Sequence, residues 1–293
     1  MDAKIENAMT TISRKGISGS TICLPLIGHP VEQVKSPAVI NGYFEQHDID
    51  AVMFPVDLVP SLVPGFFALV RGWSNCGGVS VTVPYKQTAL ACVDEVSERA
   101  QRIGAVNTVR RDPSGHLVGD NTDGIAFVSA VKARGTQIAG AHCLVIGAGA
   151  AGSAIAHALA EAGAGAISVL DIDAQRRQAL ATSLAGHYHA LRVQEGFERG
   201  DDPAIVINAS TLGMHPDDAF PFDLDRIDRR GLAADVVTKP VITPFLTAAL
   251  KRGWQTQTGE DMAVAQLGVQ TAFLGVERYR RTAAKVRRIG VKR

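Results

Sequence analysis

The chain has 293 residues, 46% of them hydrophobic, and a formal net charge of +1. That length suits two domains of ~150 residues, each with an ample core. The near-zero charge argues against a nucleic-acid binder, and no apolar run is long enough to span a membrane.

The composition is that of an ordinary α/β protein. Cys23, Cys76, Cys92 and Cys143 form no C-x-x-C pair, and no Cys, His and acid cluster has metal-ligand spacing. Reduced, mostly buried thiols, a cytoplasmic protein and no bound metal are therefore expected. Residues 1–20 lack the apolar core of a signal peptide and read as a loose polar leader. Residues 278–293 hold eight Lys or Arg and read as a solvated helix face with a tail.

In chain order, the first strand is expected over 21–27, followed by a Gly28-His-Pro turn. A helix starts with Ser36 as N-cap and Pro37 at N1, and runs to about His47. A second strand covers 51–56, a helix 59–73, and a third strand 78–83, closed by Pro84. Lys86 opens a helix that carries Leu90 and Val93. Strands at 105–110 and 116–119 flank a hairpin turn, Asp112-Pro-Ser-Gly115. A linker helix follows over 125–135. Alternation of strand and helix over 1–123 implies a mostly parallel sheet.

The second half turns on residues 142–153. Cys143 to Ile146 reads as a buried strand, and Gly147, Gly149 and Gly152 give G-x-G-x-x-G. An Ala-rich helix over 153–162 stops at Gly163 to Gly165, and a second apolar run over 166–170 ends in Asp171, nineteen residues after Gly152. Strand, glycine turn, helix, strand and acid match the dinucleotide-binding pattern. Gly147 permits a tight turn. Gly149 lets backbone approach a pyrophosphate, and Gly152 lets the helix pack on the strand. The helix N-terminus offers free N–H groups to phosphates.

Asp171 falls where an acid accepts hydrogen bonds from ribose hydroxyls. A 2′-phosphate there would meet a carboxylate, so NAD is expected over NADP. Asp173 adds negative charge nearby, while Arg176 and Arg177 pull the other way. Further on, a helix covers 174–185 and a strand 204–208 leads into Asn208-Ala-Ser-Thr-Leu-Gly-Met214. A strand over 232–237 leads into Thr238-Lys-Pro240, and a helix follows over 243–252. A last helix spans 262–285.

Ligands of open α/β sheets bind at the carboxyl ends of strands. Ser36, Ser80, Thr82, Lys86, Asn107 and 121–123 stand at such ends. A lysine can take or return the proton of a hydroxyl that loses a hydride, and a carboxylate can orient it. Spacing alone leaves other roles open: Lys86 as a surface lysine, Asp123 as a turn residue or N-cap, Asn107 as a pairing group between strand ends.

Seven ordered motifs resemble the shikimate dehydrogenase family, from about 21 to 274. They are Gly28-His-Pro-Val with Lys35-Ser-Pro37, Val81-Thr-Val-Pro-Tyr-Lys86, Gly104-Ala-Val-Asn-Thr108, Gly119-Asp-Asn-Thr-Asp123, the 147–152 glycine turn, 208–214, and Gly259 to Gln266. The resemblance implies an α/β fold with a substrate domain over 1–123 and a Rossmann-type NAD-binding domain over 124–261. The last helix would return to the first domain. It implies Lys86 and Asp123 as catalytic pair, and Ser36, Thr82, Asn107 and Gln266 as substrate ligands. It implies cofactor contacts from Gly147, Ala148, Gly149, Ala150, Ala151 and Gly152, and from Asp171, Ile172, Asn208, Ala209, Ser210, Gly213, Met214, Val236 and Gly259.

The chain also departs from the family pattern. Val34 stands for the first of two carboxylate-binding serines, Ser80 for an asparagine, and Thr238 for a tyrosine. Asp171-Ile172-Asp173 replaces an NADP-reading Asn-Arg-Thr. The expected protein is an NAD-dependent oxidoreductase, monomeric or homodimeric. Its small-molecule substrate is a hydroxylated cyclic carboxylic acid for which shikimate itself is a poor example. The alternatives are a non-catalytic NAD-binding or sensing protein and a methylene-tetrahydrofolate dehydrogenase of similar build.

Overall fold

Two six-stranded sheets, each with apolar residues packed on both faces, account for nearly all the buried hydrophobic side chains. The structure, a computed structural model, describes residues 16–198 and 200–281.

The first sheet is built from β1 (Ile22–Gly28), β2 (Ala51–Asp57), β3 (Gly78–Val81), β4 (Glu95–Val96), β5 (Thr108–Arg111) and β6 (Leu117–Asp120), in the order β2-β1-β3-β5-β6-β4. Its helices are α1 (Ser36–Gln46), α2 (Val63–Gly72), α3 (Lys86–Leu90) and α4 (Glu98–Ile103). All pairings are parallel except those of β5, which runs antiparallel to β3 and β6. The reversal is local chemistry. Asp112 accepts hydrogen bonds from the Ser114 and His116 amides at 2.8 and 3.0 Å, and Gly115 takes a φ of 93° that favours glycine.

The second sheet comprises β7 (His142–Ile146), β8 (Ala166–Leu170), β9 (Arg192–Glu195), β10 (Ile205–Asn208), β11 (Leu232–Asp235) and β12 (Gln255–Gln257), in the order β12-β11-β10-β7-β8-β9. Every pairing is parallel. The order reverses direction between β7 and β10, the switch point at which such sheets bind dinucleotides. The helices are α5 (Asp123–Ala133), α6 (Ala150–Glu161), α7 (Ala174–His187) and α8 (Pro244–Lys251).

Helix α9 (Gly259–Leu274) then leaves the second sheet. Thr258 and Asp261 cap its start reciprocally, and Gly275 ends it in the left-handed conformation. Its far end packs into the first sheet: Leu274 and Val276 share a core with Leu24, Ile40, Phe44 and Met53.

Several boundaries differ from expectation. Ser36 is not the N-cap of α1; Lys35 takes that place, and the Ser36 hydroxyl caps nothing. Lys35 already has helical φ and ψ, so the turn forms one residue early. Helix α3 ends at Leu90, so Val93 lies outside it and packs against the first-sheet core instead. The final helix begins at Gly259 rather than 262, because the Thr258 cap starts it there, and its Gly275 stop precedes a short 3₁₀ turn over Val276–Tyr279. The end expected at 285, most of the basic tail and the first fifteen residues of the polar leader lie outside the described residues. All four cysteines are free thiols; Cys76 and Cys143 are buried, Cys23 and Cys92 partly so. No helix among the described residues is long and apolar enough to cross a membrane.

Candidate active site

Lys86 is the first residue of α3, just beyond β3, and its carbonyl accepts the Val106 amide at 2.8 Å. Asp123 is the first residue of α5, where the helix dipole favours a carboxylate. Lys86 Nζ donates to Asp123 Oδ2 at 2.6 Å, with the two side chains only 14% and 7% exposed. The other carboxylate oxygen, Oδ1, accepts from Asn107 Nδ2 at 2.7 Å and from Gln266 Nε2 at 3.0 Å. Asn107 comes from the lead into β5 and Gln266 from α9, so three segments converge on a carboxylate carried by a fourth.

The surrounding shell fixes this group. Asn107 Oδ1 accepts from the Thr122 amide at 2.9 Å and the Thr108 hydroxyl at 2.9 Å. The Asp123 amide donates to Asn121 Oδ1 at 3.1 Å, and Asn121 Nδ2 to the Ala105 carbonyl at 3.1 Å. Ser80 is buried, and its hydroxyl accepts from Gln270 Nε2 at 2.9 Å. Ser36, Thr82 and Thr238 are partly buried, with side chains that bond to no other described residue. At the base of the β1 turn, a Cβ on Gly28 would collide with the Thr82 methyl, so glycine lets the 28–31 turn and the 82–83 segment touch. Val34 is partly buried against the cluster that also holds Leu24 and Ile40, its methyls committed to packing. Thr108 and Gln270 were not singled out in the sequence. The available signal was the i, i+4 spacing of Gln266 and Gln270, which puts both on one helix face.

At the switch point of the second sheet, Gly147 has a φ of 101° and lies against the Ala209 and Ser210 backbone. A Cβ on Gly152 would run into the Gly147 carbonyl, whereas one on Gly149 meets nothing within 4 Å. The glycine turn is therefore packed tightly from below and open above Gly149, a cradle that fits a dinucleotide phosphate. Ala148, Ala150 and Ala151 complete this turn and the first turn of α6. Asp171 Oδ2 accepts the Ala148 amide at 2.6 Å and Oδ1 the Asp173 amide at 2.8 Å, so the acid also ties the turn to β8. Asp173 is the N-cap of α7 and pairs with Arg176 at 3.0 Å. Arg177 donates to the Asp171 carbonyl at 3.0 Å and lies 3.6 Å from Glu195. Ile172 is fully exposed beside them.

Asn208 is fully buried, and its amide is spent on Leu212 O at 2.8 Å, Asp235 at 3.1 Å and the Ser210 hydroxyl at 2.6 Å. Its side chain shapes the loop that carries Ala209, Ser210, Gly213 and Met214 and has no group left for a cofactor. Asp235, unremarked in the sequence, is buried at the end of β11 among Asn208, Thr243 and the Val237 amide. Burial pushes its carboxyl above the usual carboxylate range. Gly259 sits where a Cβ would be 2.7 Å from the Val236 carbonyl, which brings the start of α9 against the end of β11. No group of three or more His, Cys, Asp or Glu side chains among the described residues could hold a metal ion.

The model of the shikimate dehydrogenase substrate binding domain matches residues 26–109, and that of the ThiF family matches 124–182. A shikimate dehydrogenase (NADP(+)) of Lysinibacillus sphaericus is 34% identical over 245 residues, 82% of this chain and 87% of that protein. The quinate dehydrogenase of Corynebacterium glutamicum, solved in complex with NAD, superposes with a TM-score of 0.77 at 29% identity, over 89% of this chain and 97% of that one. The 5-ketofructose reductase of a Gluconobacter strain gives 0.78 at 27% identity, over 89% and 97%. With two α/β sheets, the second of them Rossmann-type with a glycine turn at its switch point, and relatives of this identity and coverage, the chain belongs to the shikimate dehydrogenase family, oxidoreductases that act on CH–OH groups with a nicotinamide cofactor.

Proposed function

We propose that this protein is an NAD-preferring dehydrogenase of a hydroxylated cyclic carboxylic acid related to shikimate and quinate, with Lys86 and Asp123 handling the hydroxyl proton. The observation that carries the reading is the Lys86–Asp123 contact of 2.6 Å, among polar groups that hold the carboxylate still. Oxidation of CH–OH to C=O removes a hydride and a proton. The glycine turn would hold NAD, which would supply the hydride acceptor.

The proton falls to the protein. Asp123 accepts one N–H of Lys86, and in the reacting form Nζ is the neutral amine, whose lone pair can face a substrate hydroxyl. The hydroxyl proton passes to Nζ, and Asp123 holds the resulting cation in place. Asn107 and Gln266 stop the carboxylate from rotating away. Residues 1–123 with the returning helix make up the substrate domain in this reading, and 124–261 the nucleotide domain. Ser36, Thr82, Asn107 and Gln266 would meet the substrate, with Val34, Ser80 and Thr238 as further substrate contacts.

Preference for NAD rests on Asp171 at the end of β8 and on the partners of the two nearby arginines. Arg176 is paired with Asp173 and Arg177 sits between Asp171 O and Glu195. Neither is a spare cation for a 2′-phosphate.

A second reading is favoured by Val34, which offers methyl groups where the family offers a hydroxyl. The substrate would then be a neutral polyhydroxylated ketone or alcohol, as the name of the Gluconobacter 5-ketofructose reductase suggests. Steady-state kinetics with NAD and NADP over shikimate, quinate and neutral polyols, run in both directions, tests both readings. The proposal fails if no member of the panel is turned over with either cofactor, or if NADP is the better cofactor.

A further inference from the structure

We infer that Gln270 is a specificity-determining residue, whose amide oxygen accepts a hydrogen bond from a non-reacting hydroxyl of the substrate at the corner occupied by Ser80. This rests on the reading of Lys86 and Asp123 as the reacting centre.

The direction of every bond around Gln270 follows from one acid. Asp123 accepts only, so the group that Asn107 turns toward it is the NH₂. Asn107 Oδ1 therefore faces Thr122 and Thr108, and the Thr108 hydroxyl spends its proton on it at 2.9 Å. Thr108 Oγ1 must then accept, which it does from Gln270 Nε2 at 3.2 Å. The second Gln270 proton goes to Ser80 Oγ at 2.9 Å. Both donors of the amide are consumed by the protein.

The oxygen is left over. Gln270 Oε1 has no donor among the described residues and is not among the sealed, unpartnered polar atoms, although the residue is only 5% exposed. An acceptor held in this position favours a hydroxyl and disfavours a carboxylate, which brings no proton.

Gln270 is also one helical turn beyond Gln266, so α9 presents two amides to the site from one face. The shikimate dehydrogenase pattern has an asparagine at the position of Ser80, with an amide reaching in from β3. Serine is too short to do so, and Gln270 brings an amide to the same corner from the other side.

The test is a cycle between residue and substrate hydroxyl. The parent, Gln270→Ala, Gln270→Met and the double variant Ser80→Asn/Gln270→Ala are compared with shikimate, quinate and their single-deoxy analogues, by titration calorimetry and by turnover. The parent should lose about tenfold in affinity when one particular hydroxyl is removed, the scale of one hydrogen bond. Gln270→Ala and Gln270→Met should bind that deoxy analogue and its parent compound equally, with NAD affinity unchanged. The double variant should restore discrimination to within about threefold. A merely structural role would weaken all ligands alike and would leave the hydroxyl preference intact, and that result overturns the inference. Loss of hydroxyl preference in binding, with no turnover by the parent, upholds Gln270 and overturns the dehydrogenase reading. Intact turnover with unchanged preference does the reverse, and a parent that binds none of the panel overturns both.

Discussion

Gln266 and Lys86 grip opposite oxygens of the same carboxylate: Gln266 Nε2 is 3.0 Å from Asp123 Oδ1 and Lys86 Nζ 2.6 Å from Oδ2. The two side chains are 180 positions apart, and helix α9 has to cross from the second sheet to the first to bring them together. In the proposed mechanism, removing the lysine leaves Asp123 Oδ2 without its N–H donor and the substrate hydroxyl without a proton acceptor. Lys86→Ala should lower kcat by ~10²–10⁴, the usual contribution of general acid–base catalysis. NAD affinity should hold, since the glycine turn is in the other sheet. Pre-steady-state turnover and a nucleotide titration on the same preparation check both halves, and parent-like turnover by the variant would remove Lys86 from the mechanism.

Much of this arrangement was readable in the sequence because it is local. The β7 run, the glycine turn and Asp171 lie within 30 residues, and their spacing encodes a strand, a tight turn and a helix directly. Lys86 and Asp123 were marked by their place at strand ends and by the motifs around them. What was not readable depends on long-range packing. Gln270 meets Ser80 across 190 positions, and no local pattern signals that contact. The short edge strands β4, β9 and β12 have two to four residues and little alternation, so pairing in the sheet, not propensity, makes them strands. Asn208 shows the converse. Its motif was legible, but its side chain turns inward to Leu212 and Asp235, which only the burial of the β10 end decides.

Asp171 gives a test of cofactor choice. Its carboxylate is fixed by two backbone amides, so it cannot easily swing away from a 2′-phosphate. Asp171→Asn keeps an acceptor for the Ala148 amide and removes the charge. Like-charge juxtaposition costs several kcal/mol, so the ratio of kcat/KM for NAD over NADP should fall at least ~10-fold. Kinetics with both cofactors at fixed substrate check this, and an unchanged ratio would mean that Asp171 does not select the nucleotide.

His157 links stability to pH. It lies inside α6, 3% exposed, between the Tyr188 hydroxyl at 3.3 Å and the Ser183 hydroxyl at 3.2 Å. Burial, with His187 and Arg102 nearby, pushes the imidazole down to about 4. Above the unfolded value of 6.5 both states are neutral and the group contributes no pH dependence. As pH falls below that value the unfolded chain binds a proton that the folded chain refuses, so stability is lost progressively toward pH 4. The loss should reach about 2 kcal/mol at pH 5. Urea unfolding at pH 7.5 and pH 5 should show this loss in the parent and a smaller one in His157→Gln. Equal losses in both proteins would place the acid sensitivity elsewhere.

Val34 bears on the substrate itself. A carboxylate that leaves water needs donors in its place, and Val34 supplies methyl groups committed to the cluster that Leu24 and Ile40 share with α9. Ser36, one helical position away from the Lys35 cap, is the remaining free hydroxyl of that segment. Losing one hydrogen bond to a charged group costs ~1.5–3 kcal/mol, or roughly tenfold to a hundredfold in kcat/KM. Shikimate should therefore be turned over slowly with NAD, below ~10⁴ M⁻¹s⁻¹, the lower end of the ordinary enzyme range. Val34→Ser restores the hydroxyl and should raise kcat/KM for shikimate about tenfold. The same change removes buried methyls, so thermal stability should drop modestly, and activity must be compared well below the melting temperature. A neutral polyol used as a control substrate should gain nothing from the new hydroxyl, because it has no carboxylate to receive it. If shikimate already reaches ~10⁵ M⁻¹s⁻¹ in the parent, the valine is no obstacle and the carboxylate is held by other donors, Ser36 first among them.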